Sequence, residues 1–170
     1  KSTECIRLIN RHRALKRKVL VINHSLDDRY KENSIVTHNK ESLSCYTLSD
    51  LNLIRNDPKY DYNGSDVILI EEAQFFTGLY DFVVNAADND NKIIIVSGLD
   101  GDSNRQVFGE ILKLIPHSDK VMKLHALCSV CGDGTPACFT KRTVDNHSQI
   151  LVGVDQFIPV CRKHFLEKTT

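Results

Sequence analysis

Three continuous apolar runs constrain the fold of this 170-residue chain more than any other feature. They occupy residues 19–22, 67–70 and 93–96. Strands without a polar alternation are typical of parallel sheets that helices cover on both faces. The segments with helical character alternate with these runs and are residues 2–15, 50–55, 79–87 and 108–115. The pattern therefore predicts an α/β fold, with a parallel sheet flanked by helices.

The texture of the sequence changes after about residue 123. Helical periodicity gives way to glycines, cysteines and two short strand patterns at residues 139–144 and 149–154. We therefore expect two domains with a boundary near Leu124: an α/β domain at 1–123 and a small second domain at 124–170.

Composition and charge exclude some classes of partner. The formal net charge is zero, whereas proteins that bind nucleic acid usually carry a basic excess that neutralises phosphates. The basic residues that precede Val19 fit the solvated face of a helix. No apolar run approaches the roughly 18 residues that cross a bilayer, and no signal-peptide pattern is visible. We expect no nucleic-acid partner, no membrane partner and a cytoplasmic location.

Four side chains near the end of the chain have the spacing of a zinc site. Cys128-x-x-Cys131 and Cys161-x-x-His164 are two tight knuckles, which together supply a tetrahedral Cys₃His ligand set. Four protein ligands leave no open coordination position, so the zinc is predicted to be structural. Cys138 lies between the pairs and is interpreted as a packing thiol.

The first two residues match the end of a phosphate-binding loop. Lys1-Ser2 precedes a predicted helix, as the last pair of G-x-x-x-x-G-K-[ST] does. In that loop the lysine reaches the β- and γ-phosphates and the hydroxyl holds Mg²⁺. The dipeptide alone is common, and the motif's glycines are not in the sequence. The interpretation therefore expects an upstream strand and a glycine-rich loop.

Two acids follow the second apolar run, where residues 70–76 read Ile-Glu-Glu-Ala-Gln-Phe-Phe. In P-loop enzymes an acid at the carboxyl end of a strand holds Mg²⁺ or its waters. Adjacent carboxylates on an extended chain point to different sides. One carboxylate can therefore face the metal while the other faces the acceptor hydroxyl. The alternative is a charged strand end without chemistry.

A glycine-containing loop follows the third apolar run. Residues 98–102 read Gly-Leu-Asp-Gly-Asp, and Arg105 comes shortly after. Glycines permit close approach of the backbone to a ligand, and an arginine can contact the transferring phosphoryl oxygens. The alternative is an ordinary connection between a strand and a helix.

Together these segments resemble the type II thymidine kinases, over nearly the whole chain from Lys1 to His164. The family's motif Asp-Glu-Gly/Ala-Gln-Phe-Phe corresponds to residues 71–76, with Glu71 in place of aspartate and Glu72 aligned with the catalytic base. The resemblance implies a P-loop (RecA-like) sheet, plus a small zinc-binding domain that carries a lasso loop. It also implies ATP-dependent phosphorylation of the thymidine 5′-hydroxyl, with Mg²⁺ and a structural Zn²⁺.

The resemblance also assigns site residues. Those implied at ATP and Mg²⁺ are Lys1, Ser2, Asp27, Arg29, Glu71, Gln74 and Arg105. Those implied at thymidine are Phe75, Leu99, Ser103, Phe108, Thr140, Ser148, Gln149, Ile150, Leu151, Val152 and Phe157. Residues 148–152 would lie along the base and bind it mainly through backbone groups. Ser103 stands where many members carry an aromatic residue, and Phe157 where tyrosine is usual.

Assembly and regulation are expected by the same resemblance, which implies a homotetramer and feedback inhibition by thymidine triphosphate. Ile6, Leu8 and Ile9 are expected to give the first helix an apolar surface for self-association. Two other functions remain open. One is a zinc-knuckle binding or regulatory module on an inactive P-loop scaffold, and the other is a different P-loop nucleoside kinase.

Overall fold

The computed structural model of the chain describes residues 1–27, 34–36, 42–144 and 156–167. The chain forms two compact units. The first unit comprises Lys1–Asp100 and Phe108–Asp119, and the second unit comprises Gly101–Val107 and Lys120–Thr170. The division after Asp119 lies close to the expected boundary at Leu124. The segment Gly101–Val107 is grouped with the second unit, although both of its neighbours in sequence belong to the first.

Short strands and helices make up the described chain. The strands are β1 (Val19–His24), β2 (Ser34–Val36), β3 (Ser42–Ser44), β4 (Tyr46–Leu48), β5 (Val67–Ile70), β6 (Ile93–Val96), β7 (Ala126–Leu127), β8 (Pro136–Ala137), β9 (Phe139–Arg142) and β10 (Phe157–Val160). The α-helices are α1 (Ser2–Ala14), α2 (Asn52–Asn56), α3 (Leu79–Asp88) and α4 (Arg162–Leu166). The 3₁₀ helices are Pro58–Tyr60, Ala73–Phe75 and Ile111–His117.

A four-stranded parallel sheet is the centre of the first unit, with the strand order β4-β1-β5-β6. Ile70 at the end of β5 is paired with Ile22 of β1 and with Val96 of β6. All four residues of β5 are buried, as expected for a central strand covered on both faces. The predicted α/β fold with a parallel sheet flanked by helices is therefore confirmed.

Alternate residues of β5 face two different apolar clusters. Ile68 and Ile70 pack in one cluster with Leu79 and Phe82 of α3. Val67 and Leu69 belong to the other cluster, whose helix residues from α1 are Cys5, Ile6 and Ile9. Each fully buried aliphatic side chain contributes about 1.5–3 kcal/mol. The sheet thus fixes both helices, and the first turn of α1 comes to lie at the end of β5.

Short elements also form between β1 and β5. Strand β2 pairs with β3. Helix α2 has no side-chain cap, and Asp50 Oδ1 accepts a hydrogen bond from the Asn52 N–H at 2.9 Å. One local prediction needs correction. The helix predicted at 108–115 is the 3₁₀ helix Ile111–His117. Gly109 has a φ of 64°, so a helix cannot include it.

Two antiparallel strand pairs, β7–β8 and β9–β10, form the second unit together with α4. In β9–β10, Phe139 pairs with Val160 and Arg142 pairs with Phe157. The strand predicted at 149–154 lies outside the described residues. Within the described part of the chain, no helix combines the length and apolar character needed to cross a membrane.

Candidate active site and metal centre

The carboxyl ends of β1, β5 and β6 lie at the same edge of the sheet, because the strands are parallel and in register. Glu71 continues β5, and its N–H donates to the Ile22 carbonyl oxygen at 2.9 Å. Ser97 follows β6 and donates to the Ile70 carbonyl oxygen at 2.8 Å. This edge is where open α/β sheets bind their ligands.

Glu71 is held from two sides by α1. The Ser2 hydroxyl donates to Glu71 Oε1 at 3.1 Å, and the Cys5 thiol donates to Oε2 at 3.2 Å. Glu71 is only 2% exposed. Burial, followed by the charge of Glu71, raises the pKa of Cys5 to about 12, so the thiol keeps its proton. Ser2 and Glu71, each predicted at Mg²⁺, are therefore in contact, and their role at the metal stays a prediction.

Glu72 has a different set of partners. Lys1 Nζ lies 3.1 Å from Glu72 Oε1, and Gln74 Nε2 donates to Oε2 at 2.7 Å. The residue is 4% exposed. Its backbone is left-handed, with φ 51° and ψ 41°, whereas the sequence argument assumed an extended chain. The left-handed conformation costs a non-glycine residue roughly 1–2 kcal/mol, and such strain concentrates at functional sites.

An aromatic cluster lies beside the acids. The rings of Phe75 and Phe108 meet edge to face, with centroids 5.6 Å apart. His24, at the end of β1, packs against Phe75 and against the buried Phe76. Phe75 and Phe108, both predicted to line a nucleoside pocket, are therefore in contact. Leu99 is half-buried in the same unit, and its N–H donates to Gln74 Oε1 at 2.9 Å.

Asp27 and Arg29, which follow β1, are both predicted to lie near the phosphates of the nucleotide. Asp27 Oδ2 accepts a hydrogen bond from Asn23 Nδ2 at 3.1 Å. Arg29 lies outside the described residues. The role of both residues at the nucleotide stays a prediction.

The predicted cysteine–histidine set is brought together in the second unit. The ligand atoms of Cys128, Cys131, Cys161 and His164 all lie within 4.8 Å of one another. His164 Nδ1 lies 3.4–3.5 Å from the three sulfurs, and the Sγ atoms of Cys131 and Cys161 are 3.8 Å apart. A tetrahedron with Zn–S of about 2.3 Å and Zn–N of about 2.05 Å has edges of about 3.5 and 3.8 Å. These side chains could therefore hold a metal ion in a closed tetrahedral site.

The electrostatics of this cluster also fit a cation. Burial opposes ionisation of Cys128, but backbone N–H groups of Cys161 and Cys131 and the His164 ring lower its pKa to about 6. Burial and the neighbouring Cys128 raise the pKa of Cys131 to about 11. Ionisation of one thiol thus opposes ionisation of the next. A bound cation would remove this repulsion between thiolates, because metal coordination deprotonates thiols outright.

Arg105 is placed among aromatic rings of the second unit. Its guanidinium carbon lies 4.8 Å from the ring centroid of Phe165 and 5.9 Å from that of Phe139. Arg105 also has a φ of 62° in the turn of its segment. Arg105 therefore packs against two aromatic rings. The phosphate contact predicted for it stays a prediction. Ser103 lies in the same segment and is half-buried.

The remaining predicted thymidine residues belong to the second unit. Thr140 is in β9 opposite Pro159, and Phe157 begins β10 with the Arg142 guanidinium 5.3 Å from its ring centroid. Residues 148–152, the predicted lasso segment, lie outside the described part of the chain. Their contact with the base stays a prediction.

Sequence reasoning gave no role to two residues of the first-unit site. Cys5 belongs to no motif, and its contact with Glu71 spans 66 positions of sequence. His24 is 4% exposed, and burial lowers its pKa. The signal for His24 was its place directly after an apolar strand, the same place that singled out the acids.

A parallel sheet whose strand-end acids meet the first turn of a helix, at a lysine and a serine, defines the class of P-loop phosphotransferases. Comparison with known proteins narrows this class. The family model for thymidine kinase matches residues 1–165. The chain belongs to the thymidine kinase family.

Named relatives come from plants and viruses. Thymidine kinase a of Arabidopsis thaliana is 44% identical over 168 residues, covering 98% of this chain and 70% of the relative. A thymidine kinase of Oryza sativa subsp. japonica is 42% identical, covering 89% of this chain and 56% of the relative. The enzyme of Yaba monkey tumor virus is 41% identical, covering 95% and 86%. The chain therefore spans between about half and most of the length of these relatives.

Proposed function

We propose that this protein is a thymidine kinase that transfers the γ-phosphate of ATP to the 5′-hydroxyl of thymidine. The observation that carries the proposal is the meeting of Ser2 with Glu71 and of Lys1 with Glu72 at one edge of the sheet. Membership in the thymidine kinase family supports the choice of substrate.

The phosphates of ATP are proposed to lie at the start of α1. The positive end of the helix dipole and the Lys1 ammonium both favour anions there. Ser2 Oγ and the Glu71 carboxylate are oxygen donors only 3.1 Å apart, a set that suits Mg²⁺. When bound, Mg²⁺ neutralises charge that develops on the transferring phosphoryl group. Lys1 would contact the β- and γ-phosphates.

Glu72 is proposed to act as the general base. It would accept the proton of the 5′-hydroxyl as the oxygen attacks the γ-phosphorus in line with the leaving group. Lys1 lies 3.1 Å from Glu72, so a phosphate bound by this lysine lies beside the base. Most of the acceleration would come from this positioning and from charge stabilisation.

The nucleoside is proposed to contact the aromatic pair Phe75 and Phe108, together with Leu99. The lasso residues 148–152 would bind the thymine base, as the family resemblance implies. Cys128, Cys131, Cys161 and His164 are proposed to hold a structural zinc ion that supports β9 and β10. The Cys₃His set leaves no open coordination position for chemistry.

Regulation, assembly and location rest on the resemblance alone. We propose feedback inhibition by thymidine triphosphate, a homotetramer and a cytoplasmic location. The sequence argument for self-association through α1 does not hold, because Ile6 and Ile9 are buried in the core of the first unit. Sedimentation of the full-length protein, with and without ATP, tests the tetramer.

The deciding experiment measures nucleoside monophosphate formed by the full-length protein with ATP and Mg²⁺. Thymidine is compared with deoxycytidine and deoxyguanosine. Preferential formation of thymidine monophosphate supports the proposal. Preference for another nucleoside would favour the rival nucleoside kinase. No transfer to any of them would favour the zinc-knuckle module on an inactive scaffold.

A further inference from the structure

We infer that Gln74 is a positioning residue, which orients the Glu72 carboxylate and links it to the loop that follows β6. This inference rests on the proposed role of Glu72 as the base. It changes the interpretation of Gln74, which the family resemblance assigned to the nucleotide.

Both ends of the amide are hydrogen bonded within the protein. Nε2 donates to Glu72 Oε2 at 2.7 Å, and Oε1 accepts from the Leu99 N–H at 2.9 Å. The partners fix the orientation of the amide, because a carboxylate only accepts and a backbone N–H only donates. Rotating the amide by 180° would set oxygen against oxygen and N–H against N–H.

Two glycines make room for this residue. A Cβ atom at Gly98 would lie 2.6 Å from Gln74 Oε1, and one at Gly109 would overlap the Gln74 backbone carbonyl. Gln74 is 3% exposed. An amide enclosed in this way has no free surface to offer to a nucleotide. Its hydrogen bonds therefore act on the protein itself.

The two hydrogen bonds connect Leu99 to Glu72 through one rigid side chain. Glu72 has a left-handed backbone and begins the 3₁₀ helix Ala73–Phe75, so its own chain does not hold it extended. Hydrogen bonds to ionised groups are stronger than those between neutral groups. Gln74 thus holds the Glu72 carboxylate, the proposed general base, at a place set by the loop at 98–100. Leu99 of this loop is expected to contact the nucleoside.

The test uses two variants of Gln74 in the full-length protein. Gln74→Met keeps the length of the side chain and removes both hydrogen bonds. We expect kcat to fall about 10- to 100-fold, the effect of a misplaced catalytic group, while KM for ATP changes less than about threefold. Gln74→Glu keeps an acceptor for Leu99 but sets an oxygen against Glu72, and we expect a loss at least as large. Recovery of kcat in Gln74→Glu would mean that Gln74 acts through Leu99 alone.

A double-mutant cycle with Glu72→Gln asks whether Gln74 acts through Glu72. If it does, adding Gln74→Met to Glu72→Gln lowers kcat by no more than about twofold. Independent, additive losses would overturn the inference. The matched control is Gln106→Met, since Gln106 is exposed and its side-chain amide donates to the Asn104 carbonyl oxygen within its own segment. The control should retain the kcat of the wild type.

A crystal structure of Gln74→Met tests the positioning without any assay. We expect the Glu72 carboxylate to move from its wild-type place by about 1 Å or more, the scale that matters for catalysis. A carboxylate that stays in place would overturn the inference, even if the wild type phosphorylates thymidine. Conversely, a wild type inactive towards thymidine with a displaced Glu72 in the variant would refute only the proposed function.

Discussion

The hydrophobic cores of the two units differ greatly in size. Among the described residues, sixteen buried side chains form the cluster on one face of the sheet and nine form the cluster on the other. In the described part of the second unit the corresponding cluster has three buried members, Cys128, Ala137 and Val160, with five partly buried residues packed against them. A core of that size cannot offset the entropy of ordering a chain. The second unit therefore needs another source of stability.

The two functional clusters differ in the same sense. Glu71 and Glu72 are held by a framework that is already buried, and their carboxylates are hydrogen bonded to side chains of the protein. In the second unit Cys128 is both a core residue and a member of the cluster that could hold a metal ion. A closed metal site would add the stability that a small core lacks, whereas the acid pair already lies within a large core.

Loss of the proposed zinc ion should produce the largest difference between the two units. We expect Cys161→Ser to abolish zinc binding, because it removes one of the four ligands. The second unit should then lose stability, because structural zinc contributes about 10–16 kcal/mol to small domains. Zinc content and amide hydrogen exchange measure the effect. Residues of β9 and β10 should lose protection, while β5 keeps it. Cys138→Ser is the matched control, since Cys138 is exposed and outside the cluster, so its interpretation as a buried packing thiol was wrong. Equal hydrogen-exchange protection of β9 in both variants would contradict the dependence of the second unit on the metal.

Removing the base should leave both cores intact. We expect Glu72→Gln to lower kcat at least about 100-fold, because general base catalysis contributes about 10²–10⁴. The variant should keep its fold and bind ATP. Glu110→Gln is a suitable control, as Glu110 is a carboxylate of the same unit that pairs with Lys113 on the surface. A near-normal kcat in Glu72→Gln would remove this residue from the proposed role.

Replacing the Cys5 thiol tests whether its buried hydrogen bond to Glu71 strengthens the proposed Mg²⁺ binding. Cys5→Ala removes the donor to Glu71 Oε2, whereas Cys5→Ser keeps a donor. We expect Cys5→Ala to raise the Mg²⁺ concentration needed for half-maximal activity about fivefold, equivalent to on the order of 1 kcal/mol. Cys5→Ser should stay near the wild type.

Cys45→Ala is the control for that experiment, because Cys45 is also a buried cysteine of the same cluster. An equal rise in Cys45→Ala would show general loosening of the core rather than support of Glu71.

Arg105 offers the smallest effect and separates its two possible roles. The guanidinium packs on Phe165, so we expect Arg105→Ala to lower the stability of the second unit by about 0.5–1 kcal/mol. Thermal unfolding measures this change, with the exposed Arg11→Ala as control. An unchanged melting temperature with a 100-fold loss of kcat would instead support the phosphate contact that the sequence suggested.

The sequence by itself predicted the features that depend on neighbours along the chain. The bounds of β5 and β6 matched their apolar runs. For β5 the reason is that a strand buried on both faces needs an unbroken run of such residues. The Cys₃His set followed from two tight knuckles, whose spacing alone directs each pair to one point. The strand-end acids followed from their position after β5.

Short edge elements were beyond prediction from local pattern. Strands β2, β3 and β4 have three residues each, too few for a periodicity to show. The helix predicted near residue 108 was displaced because Gly109 takes a positive φ against the Gln74 backbone. That conformation depends on packing against Gln74, 35 positions away in sequence, and not on the local helix propensity.

Only the tertiary structure decided how the acids are held. The adjacent residues Glu71 and Glu72 have different partners, because the chain turns left-handed at Glu72 after the sheet ends. Cys5 joined the site, and Gln74 gained its partners there, through contacts that sequence patterns do not encode. Cys5 makes its contact from α1, and Gln74 makes its contact with the loop after β6. Local patterns fix which residues are buried and at which strand end they lie. The directions of their hydrogen bonds depend on which distant groups the packed core brings within about 3 Å.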